Sequence, residues 1–400
     1  MKPKSFMLIA GETSGDMLAA ELVRALRYAI PEAEAGPTAD YQPLHASLQP
    51  RFFGAGGPLM AAAGVELAFD MTEHSVIGLS EVLKHYFKFR RLFHQLFQLA
   101  LERQPDAIIC VDFSGFNRRF AHAIRQYTRA RADWFHDWKP KIIQYVSPQV
   151  WASREGRAFQ MARDYDLVLS IFPFEKAWYA KRVPQLRVEF VGHPIAERHG
   201  ERREGRGDRS APMVLLLPGS RPDELRRHLP VMLGALGLIR AKLPSLRAQM
   251  VLPNESLVQQ ARALNLPAHL QIQTAGLPEA LAEADVAIAS TGTVTTECAY
   301  FGVPTVALYK TSWSTWQIAK RIVNVKYGAM PNLLADEEIF PEFIQDAATP
   351  ENLARAALEL LRDEARRAKV KARLAEIVTS LGGPGATRHA AEAVLRTLKQ

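Results

Sequence analysis

An apolar strand followed directly by a glycine-punctuated loop and a helical pattern constrains this chain most, because the pattern occurs twice in strong form. Residues 5–10 (SFMLIA) are an unbroken apolar run, 11–16 (GETSGD) read as a loop, and 17–28 carry apolar residues at helical spacing. The grammar returns at 213–217 (MVLLL), 218–221 (PGSR) and a polar helix start at Asp223 and Glu224. A weaker copy passes through 286–289, the loop 290–293 (STGT) and a helix to about residue 301. Short, uniformly apolar strands alternating with helices belong to parallel sheets covered on both faces. The fold class expected is therefore α/β, with two Rossmann-like doubly wound lobes. Residues 1–195 form the first lobe, 196–210 (AERHGERREGRGDRS) a charged linker, and 211–380 the second lobe. After the Gly382-Gly383-Pro384-Gly385 breaker, residues 381–400 supply a tail helix expected to pack on another lobe or subunit.

Charge and cysteine content narrow the classes. The 400 residues carry 50 Lys and Arg against 42 Asp and Glu, a net charge of +8, so a partner of opposite charge is expected: nucleic acid, anionic lipid or a phosphorylated substrate. Cys110 and Cys298 both lie in apolar runs and read as buried thiols in a reducing compartment, not as a bridge or a metal site. The longest nearly uncharged stretch, 286–309, is broken by Gly292, Glu297, Gly302 and Pro304, which suits strand–helix–strand better than a membrane span. The apolar run after Lys2 and Lys4 is too short for a secretory signal, so a cytoplasmic protein is expected.

Ligands of open parallel sheets sit beyond the carboxyl ends of the strands. Gly219, Ser220 and Arg221 offer backbone N–H groups and a guanidinium there, which suits phosphate, although the same tripeptide can be an ordinary turn. Residues 290–293, with Gly292 and Thr293, place hydroxyls and amides at a helix N-terminus. Glu297, one turn on, could accept both hydroxyls of a ribose or simply complement the helix dipole. Asp112 ends the apolar run 107–111 and is a candidate general base, with Glu12 of the first loop as second choice; an aspartate so placed also commonly caps the next helix. His193, before Pro194, reads as structural. Asp164-Tyr165-Asp166 precedes a strand instead of following one, so it reads as a strand-entry turn and no metal is expected. Residues 53–57 (FGAGG) read as a close-approach loop beside substrate.

Residues 82–101 (VLKHYFKFRRLFHQLFQLAL) contain no acid. Lys84, Lys88, Arg90 and Arg91 accompany seven large apolar residues that spread over more than one helical stripe. Basic charge beside surplus aromatic surface suits an anionic bilayer interface or an acyl-chain groove; the alternative is a mostly buried helix with snorkelling cations.

Seven ordered motifs resemble those of the lipid-A-disaccharide synthase family: AGETSGD at 10–16, IGLSEVL at 77–83, YVSPQVWASR at 145–154, PFEKAWY at 173–179, EFVGHP at 189–194, LLPGSR at 216–221 and MPNLL at 330–334. The resemblance implies an inverting GT-B glycosyltransferase. Its reaction would transfer 2,3-diacylglucosamine from UDP to the 6-hydroxyl of 2,3-diacylglucosamine 1-phosphate, releasing UDP and needing no cofactor. It implies that Gly219, Ser220, Arg221, Gly292, Thr293, Glu297 and Asn332 hold the nucleotide, and that Asp112 is essential. Ser14 joins Lys84, Lys88, Arg90 and Arg91 on the acceptor and membrane side. The expected partners are the two acylated sugars, the inner-membrane phospholipid surface and, as an allowed assembly, a second copy of the chain, but not nucleic acid.

The chain departs from the family in two places. Members commonly read D-x-P-D-F-N where this chain has Asp112-Phe113-Ser114-Gly115-Phe116-Asn117, so the second aspartate is missing and the role of base falls on Asp112. Ser153 stands where tryptophan is usual. Residues 37–49 and 130–139 read as insertions. The rival enzyme of the same fold is a UDP-N-acetylglucosamine 2-epimerase; the non-enzyme rival is a basic membrane- or RNA-binding protein.

Overall fold

The computed structural model describes residues 3–35, 49–72, 82–131, 137–199 and 211–400, with backbone alone at 31–35 and 82–88. The signature residues 77–81, most of the linker, most of the first insertion and half of the second lie outside these ranges. The chain divides into two compact units, Met1–Pro194 with Gly383–Gln400, and Ile195–Gly382.

In the first unit the chain runs β1 (Ser5–Ala10), α1 (Thr13–Ala35), β2 (Arg51–Gly56), α2 (Pro58–Ala62), β3 (Glu66–Asp70), α3 (Val82–Arg103), β4 (Ala107–Val111), α4 (Ser114–Ala130), β5 (Lys141–Tyr145), α5 (Arg157–Asp164), β6 (Leu167–Ser170), α6 (Pro173–Arg182) and β7 (Val188–Phe190). The strands form one parallel sheet in the order β3-β2-β1-β4-β5-β6-β7. Phe6 to Ala10 and Ala107 to Val111 are wholly buried, as strands covered on both faces must be.

The second unit runs α7 (Ile195–His199), β8 (Met213–Leu217), α8 (Pro222–Lys242), β9 (Arg247–Val251), α9 (Glu255–Arg262), β10 (Leu270–Gln273), α10 (Leu277–Glu283), β11 (Val286–Ser290), α11 (Thr293–Tyr300), β12 (Thr305–Tyr309), α12 (Trp313–Ile322), α13 (Met330–Ala335), β13 (Glu342–Ile344), α14 (Pro350–Arg362) and α15 (Glu364–Ser380). Its sheet, β10-β9-β8-β11-β12-β13, repeats the order of the first, with the first-formed strand at the centre and a reversal of winding beside it. The last helix, α16 (Ala386–Leu398), returns to the first unit and packs along α1. Its buried face is Ala386, Ala390, Ala391, Ala393 and Val394, small enough for close approach, and Arg396 pins it to Glu189 at 2.8 Å.

Several expectations are corrected by this geometry. The first helix begins at Thr13, so Ser14, Gly15 and Asp16 belong to its first turn and not to a loop. The reason is tertiary: Asp16 is buried and its carboxylate accepts N–H bonds from Gly57, Leu59 and Met60 at 2.8–3.0 Å, capping α2. Residues 53–56 are strand, not a substrate loop; Gly54 has φ +147° because a Cβ there would sit 1.9 Å from the Leu8 carbonyl oxygen of the neighbouring strand. The expected linker opens with a helical turn, Ile195–His199. Asp164 and Asp166 are bound within the unit, to His122 at 3.0 Å and to Arg125 at 2.5 Å. Both cysteines are free and buried, and burial pushes each thiol up to about 12.

Gly54→Ala is expected to cost at least about 3 kcal/mol, since the clash is with backbone in the sheet centre. Chemical denaturation of the purified variant, or its loss from the soluble fraction, checks this.

Candidate active site

Because β1 and β4 are neighbours, with Ala10 level with Val111, the loops that follow them emerge side by side. Asp112 and Phe113 both adopt left-handed backbone, φ +48° and +43°, an arrangement that costs each residue on the order of 1 kcal/mol or more. Two contacts hold it. The Phe113 ring lies where a side chain on residue 11 would be, 2.3 Å from an ideal Cβ, so only glycine fits at Gly11. The buried Asn117 amide donates to the carbonyls of Val111 and Asp112 at 3.2 and 2.9 Å, and Gln144 donates to Asp112 at 3.3 Å. At Gly15, in the first turn of α1, an added Cβ would stand 3.7 Å from the Asp112 Cβ, so this turn passes close to Asp112. Asp112, half-buried Glu12 and exposed Ser14 thus lie on adjacent segments at the same end of the sheet. Burial holds the Asp112 carboxyl above its ordinary value, against the opposing effect of the Phe113 N–H. A carboxylate made more basic by desolvation is suited to taking a proton.

The next loop along carries a titratable group that sequence reasoning missed. Glu175, wholly buried at the first turn of α6, accepts from Trp151 Nε1 at 2.9 Å and from Ser170 Oγ at 2.6 Å. Ser147 donates to the Tyr179 hydroxyl at 3.2 Å beside it. Burial pushes the Glu175 carboxyl up to about 7, against these hydrogen bonds. Its Trp151 partner lies 24 residues away in sequence, and the only signal was that Trp151 and Glu175 each fall in one of the seven motifs, at 145–154 and 173–179.

In the second unit β8 and β11 are the neighbouring pair. Gly219, at φ +124°, leaves room for the Glu224 side chain, whose carboxylate accepts the Ser220 N–H at 3.0 Å and faces Arg221 at 3.4 Å. An anion reaching the Ser220 amide must displace Glu224, a competitor invisible in the tripeptide alone. Arg221 is otherwise exposed at the N-cap of α8. Gly292, at φ +145° with open space where a Cβ would stand, caps α11, and Thr293 is exposed at its first turn. Glu297 lies half-buried on that helix; burial raises its carboxyl, moderated by the Arg198 charge. Buried His228, also missed, lies between the 218–221 loop and the end of β12. Its Nδ1 lies 2.8 Å from the Pro218 carbonyl and its Nε2 accepts the Lys310 N–H at 2.9 Å, a pairing that fixes the neutral ring with the proton on Nδ1. Burial lowers its pKa and keeps it neutral.

Asn332 requires a correction. It is wholly buried, its Nδ2 donates to Phe340 and Glu342 at 2.7 and 2.8 Å, and its Oδ1 accepts from Ile339 and Phe340. No polar atom of the side chain remains for a nucleotide. It shapes the α13 turn, where Met330 N–H bonds Thr295 of α11 at 3.2 Å.

The basic aromatic segment is helical throughout, as α3. Lys84 and Lys88 lie outside the described side chains; Arg90 and Arg91 are exposed. The aromatic surplus is smaller than it looked, because Phe93 packs edge-on against Phe116 and Phe120, and Phe97 against Phe120 and Tyr127. Among the described residues no three His, Cys, Asp or Glu side chains converge as metal ligands would.

Residues 6–396 match the family model described as lipid-A-disaccharide synthetase. The lipid-A-disaccharide synthase of Trichlorobacter lovleyi is 35% identical over 413 residues, covering 100% of this chain and 99% of its own. That of Alkalilimnicola ehrlichii is 36% identical over 406 residues, covering 97% of each. Among solved structures, Acinetobacter baumannii MurG aligns with a TM-score of 0.54 at 18% identity, covering 98% of this chain and 100% of its own. Neisseria meningitidis UDP-GlcNAc 2-epimerase, bound to UDP-GlcNAc, aligns at 0.57 and 10% identity, covering 98% and 100%. These structural likenesses establish the GT-B fold; at such identities they carry no activity.

Glu175 gives the fold a pH signature. Its folded value near 7 lies above the ordinary 4.5, so the native state binds the extra proton and stability falls as pH rises between those values. In Glu175→Gln this part of the slope is expected to disappear, by on the order of 3 kcal/mol at most. Urea midpoints of both proteins from pH 4.5 to 8 measure it.

Proposed function

This chain belongs to the lipid-A-disaccharide synthetase family, and on that premise we propose how its residues carry out the transfer. The reaction is that of an inverting glycosyltransferase: UDP-2,3-diacylglucosamine and 2,3-diacylglucosamine 1-phosphate give the β-1,6-linked disaccharide 1-phosphate and UDP. The observation carrying the reading is a whole-length family match in which Asp112 stands at the strand-end crevice of the first unit. Relatives at 35–36% identity over essentially full length favour the synthase over the epimerase, whose likeness is one of fold.

Asp112 acts as general base. Its desolvated carboxylate takes the proton of the acceptor 6-hydroxyl as the oxygen attacks the anomeric carbon from the face opposite UDP. Glu12 is the second choice and otherwise orients the acceptor together with Ser14. The leaving diphosphate gains negative charge, which Arg221, the Gly219–Ser220 amides and the N-terminus of α11 with Gly292 and Thr293 meet with preorganised donors. Arg221 engages that phosphate by turning from Glu224, and Glu297 receives the ribose hydroxyls.

We place the enzyme in the cytoplasm, peripherally on the inner face of the membrane that holds its substrates. Among the described residues no helix is long and apolar enough to cross a bilayer. Exposed Arg90 and Arg91 on α3 support an anionic surface contact, as does α12, which buries none of its residues and exposes Trp313 and Ile318 beside Lys320 and Arg321. A homodimer is compatible with the same reading and is checked by light scattering.

Asp112→Asn keeps a residue that tolerates the left-handed backbone while removing the base. With both acylated substrates in detergent micelles, its turnover is expected to fall about a hundred- to ten-thousandfold, with UDP-sugar KM little changed. Arg221→Ala is expected to lower kcat/KM for the UDP-sugar at least about tenfold. Near-normal turnover of folded Asp112→Asn would remove the residue from the mechanism. Acceptor-independent turnover of UDP-N-acetylglucosamine by the native protein would favour the epimerase.

A further inference from the structure

Four arginines gather at the ligand edge of the first unit, and no carboxylate answers them. Arg118 and Arg119 lie on the second turn of α4, directly after Asp112. Arg154 and Arg157 close the connection from β5, the strand next to β4, into α5. Arg154 holds a left-handed backbone, φ +58°, and its carbonyl accepts the Arg157 N–H at 3.0 Å, so the two side chains leave a single tight turn. The helices α4 and α5 pack together, and Arg118 bridges them through Gln160 at 2.9 Å. Arg157 is half-buried; burial and the positive fields of Arg118, Arg154 and Arg119 all lower its pKa, so each of those three guanidinium groups lies within electrostatic reach of Arg157.

The neighbouring charges show that this is a local choice. On α4 itself Arg125 is paired with Asp166 at 2.5 Å. The only acid between Arg154 and Arg163 is Glu155, and it turns away to Arg182 at 3.0 Å. Among the described residues no carboxylate lies in an ion pair with Arg118, Arg119, Arg154 or Arg157. Arginine stays protonated at any physiological pH, so an anion binding among these side chains relieves the repulsion that half-buried Arg157 feels from its neighbours. Forked guanidinium donors match a tetrahedral oxyanion, and several of them together suit a dianionic phosphomonoester better than a singly charged diester.

We propose that Arg118, Arg119, Arg154 and Arg157 form a phosphomonoester site that takes the 1-phosphate of the acceptor sugar. The assignment rests on the transferase reading above and deepens it. Phosphate held beyond the first turn of α4 places the same sugar's free hydroxyl toward Asp112 at the start of that element. The cluster then selects the phosphorylated acceptor over its dephosphorylated form and fixes which end of the sugar meets the base.

The test compares acceptors with and without the 1-phosphate in detergent micelles, using native enzyme, Arg157→Ala, and Arg119→Gln/Arg154→Gln, the last pair being exposed side chains whose change leaves the fold intact. The preference for the phosphorylated acceptor, as a ratio of kcat/KM values, is expected to fall about ten- to a hundredfold in each variant, with UDP-sugar KM unmoved. Arg157→Lys, which restores charge without the fork, recovers only part of the preference. An unchanged ratio overturns the proposal. So does loss of binding to phosphatidylglycerol vesicles with the ratio intact, which would assign the cluster to lipid headgroups. Titration of each protein with glucosamine 1-phosphate separates the two readings: binding that is lost in the variants upholds the site even if no disaccharide forms, and equal binding by native and variant proteins rejects it even if transfer proceeds.

Discussion

The pairing of the first-formed strand of each sheet with the strand that reverses its winding governs the rest of the molecule. In the first unit Ala10 is level with Val111, so residues 11 and 112 must leave the sheet together. In the second, Ala289 is level with Leu217, and the loops at 218–221 and 291–292 do the same. A parallel strand cannot end this way without sending unpaired backbone N–H groups and the next helix's positive end toward the same crevice. The chemistry is therefore set by which side chains follow these four strands. On the proposed reading, Asp112 and Glu12 are the acids that accept a proton, and Ser220, Arg221 and Thr293 are the donors that receive phosphate.

Such loops need rigid support, and the structure supplies it through buried polar side chains that touch no ligand. Asn117 and Gln144 hold the left-handed Asp112–Phe113 pair. Asp16 ties the first turn of α1 to α2, and His228 ties the Pro218 carbonyl to the Lys310 amide across the second sheet's edge. Asn332 and Glu342 together fix the α13 turn; the Glu342 carboxylate accepts from Gly328 and Ala329 at 2.7 and 2.9 Å. Asp16, His228, Asn332 and Glu342 are hydrogen-bonded through their polar atoms, and Asn117 and Gln144 donate through their amide N–H groups, which is how a buried polar group stiffens a site.

This division explains what was legible in the amino-acid sequence. The strands Ser5–Ala10, Ala107–Val111 and Met213–Leu217 follow from apolar runs ended by a glycine, a charge or a proline, because burial on both faces leaves no other pattern. Asp112 and Arg221 were legible for the same reason, as the first charged groups past a strand. The support was not. Trp151 and Glu175 are 24 residues apart, and His228 and Lys310 are 82. Nothing local marks the Asn332 side chain as pointing inward, and a motif records that a residue is present without recording which way it faces. The start of α1 was misread because Ser14, Gly15 and Asp16 are loop formers locally, while the partners that hold them in a helix come from Gly57 to Met60.

The charges along both edges share one logic. Burial raises the carboxyls of Asp112, Glu175, Glu297 and Glu342, so the acids near the strand ends resist ionisation. An edge built in this way carries local positive potential out of proportion to the net charge of +8. A doubly phosphorylated nucleotide sugar and a sugar 1-phosphate each bring the missing negative charge. On the proposed reading, each completes the electrostatics of the edge that binds it, and Asp112, alone among these acids at the β4 strand end, is the one that accepts the acceptor's proton.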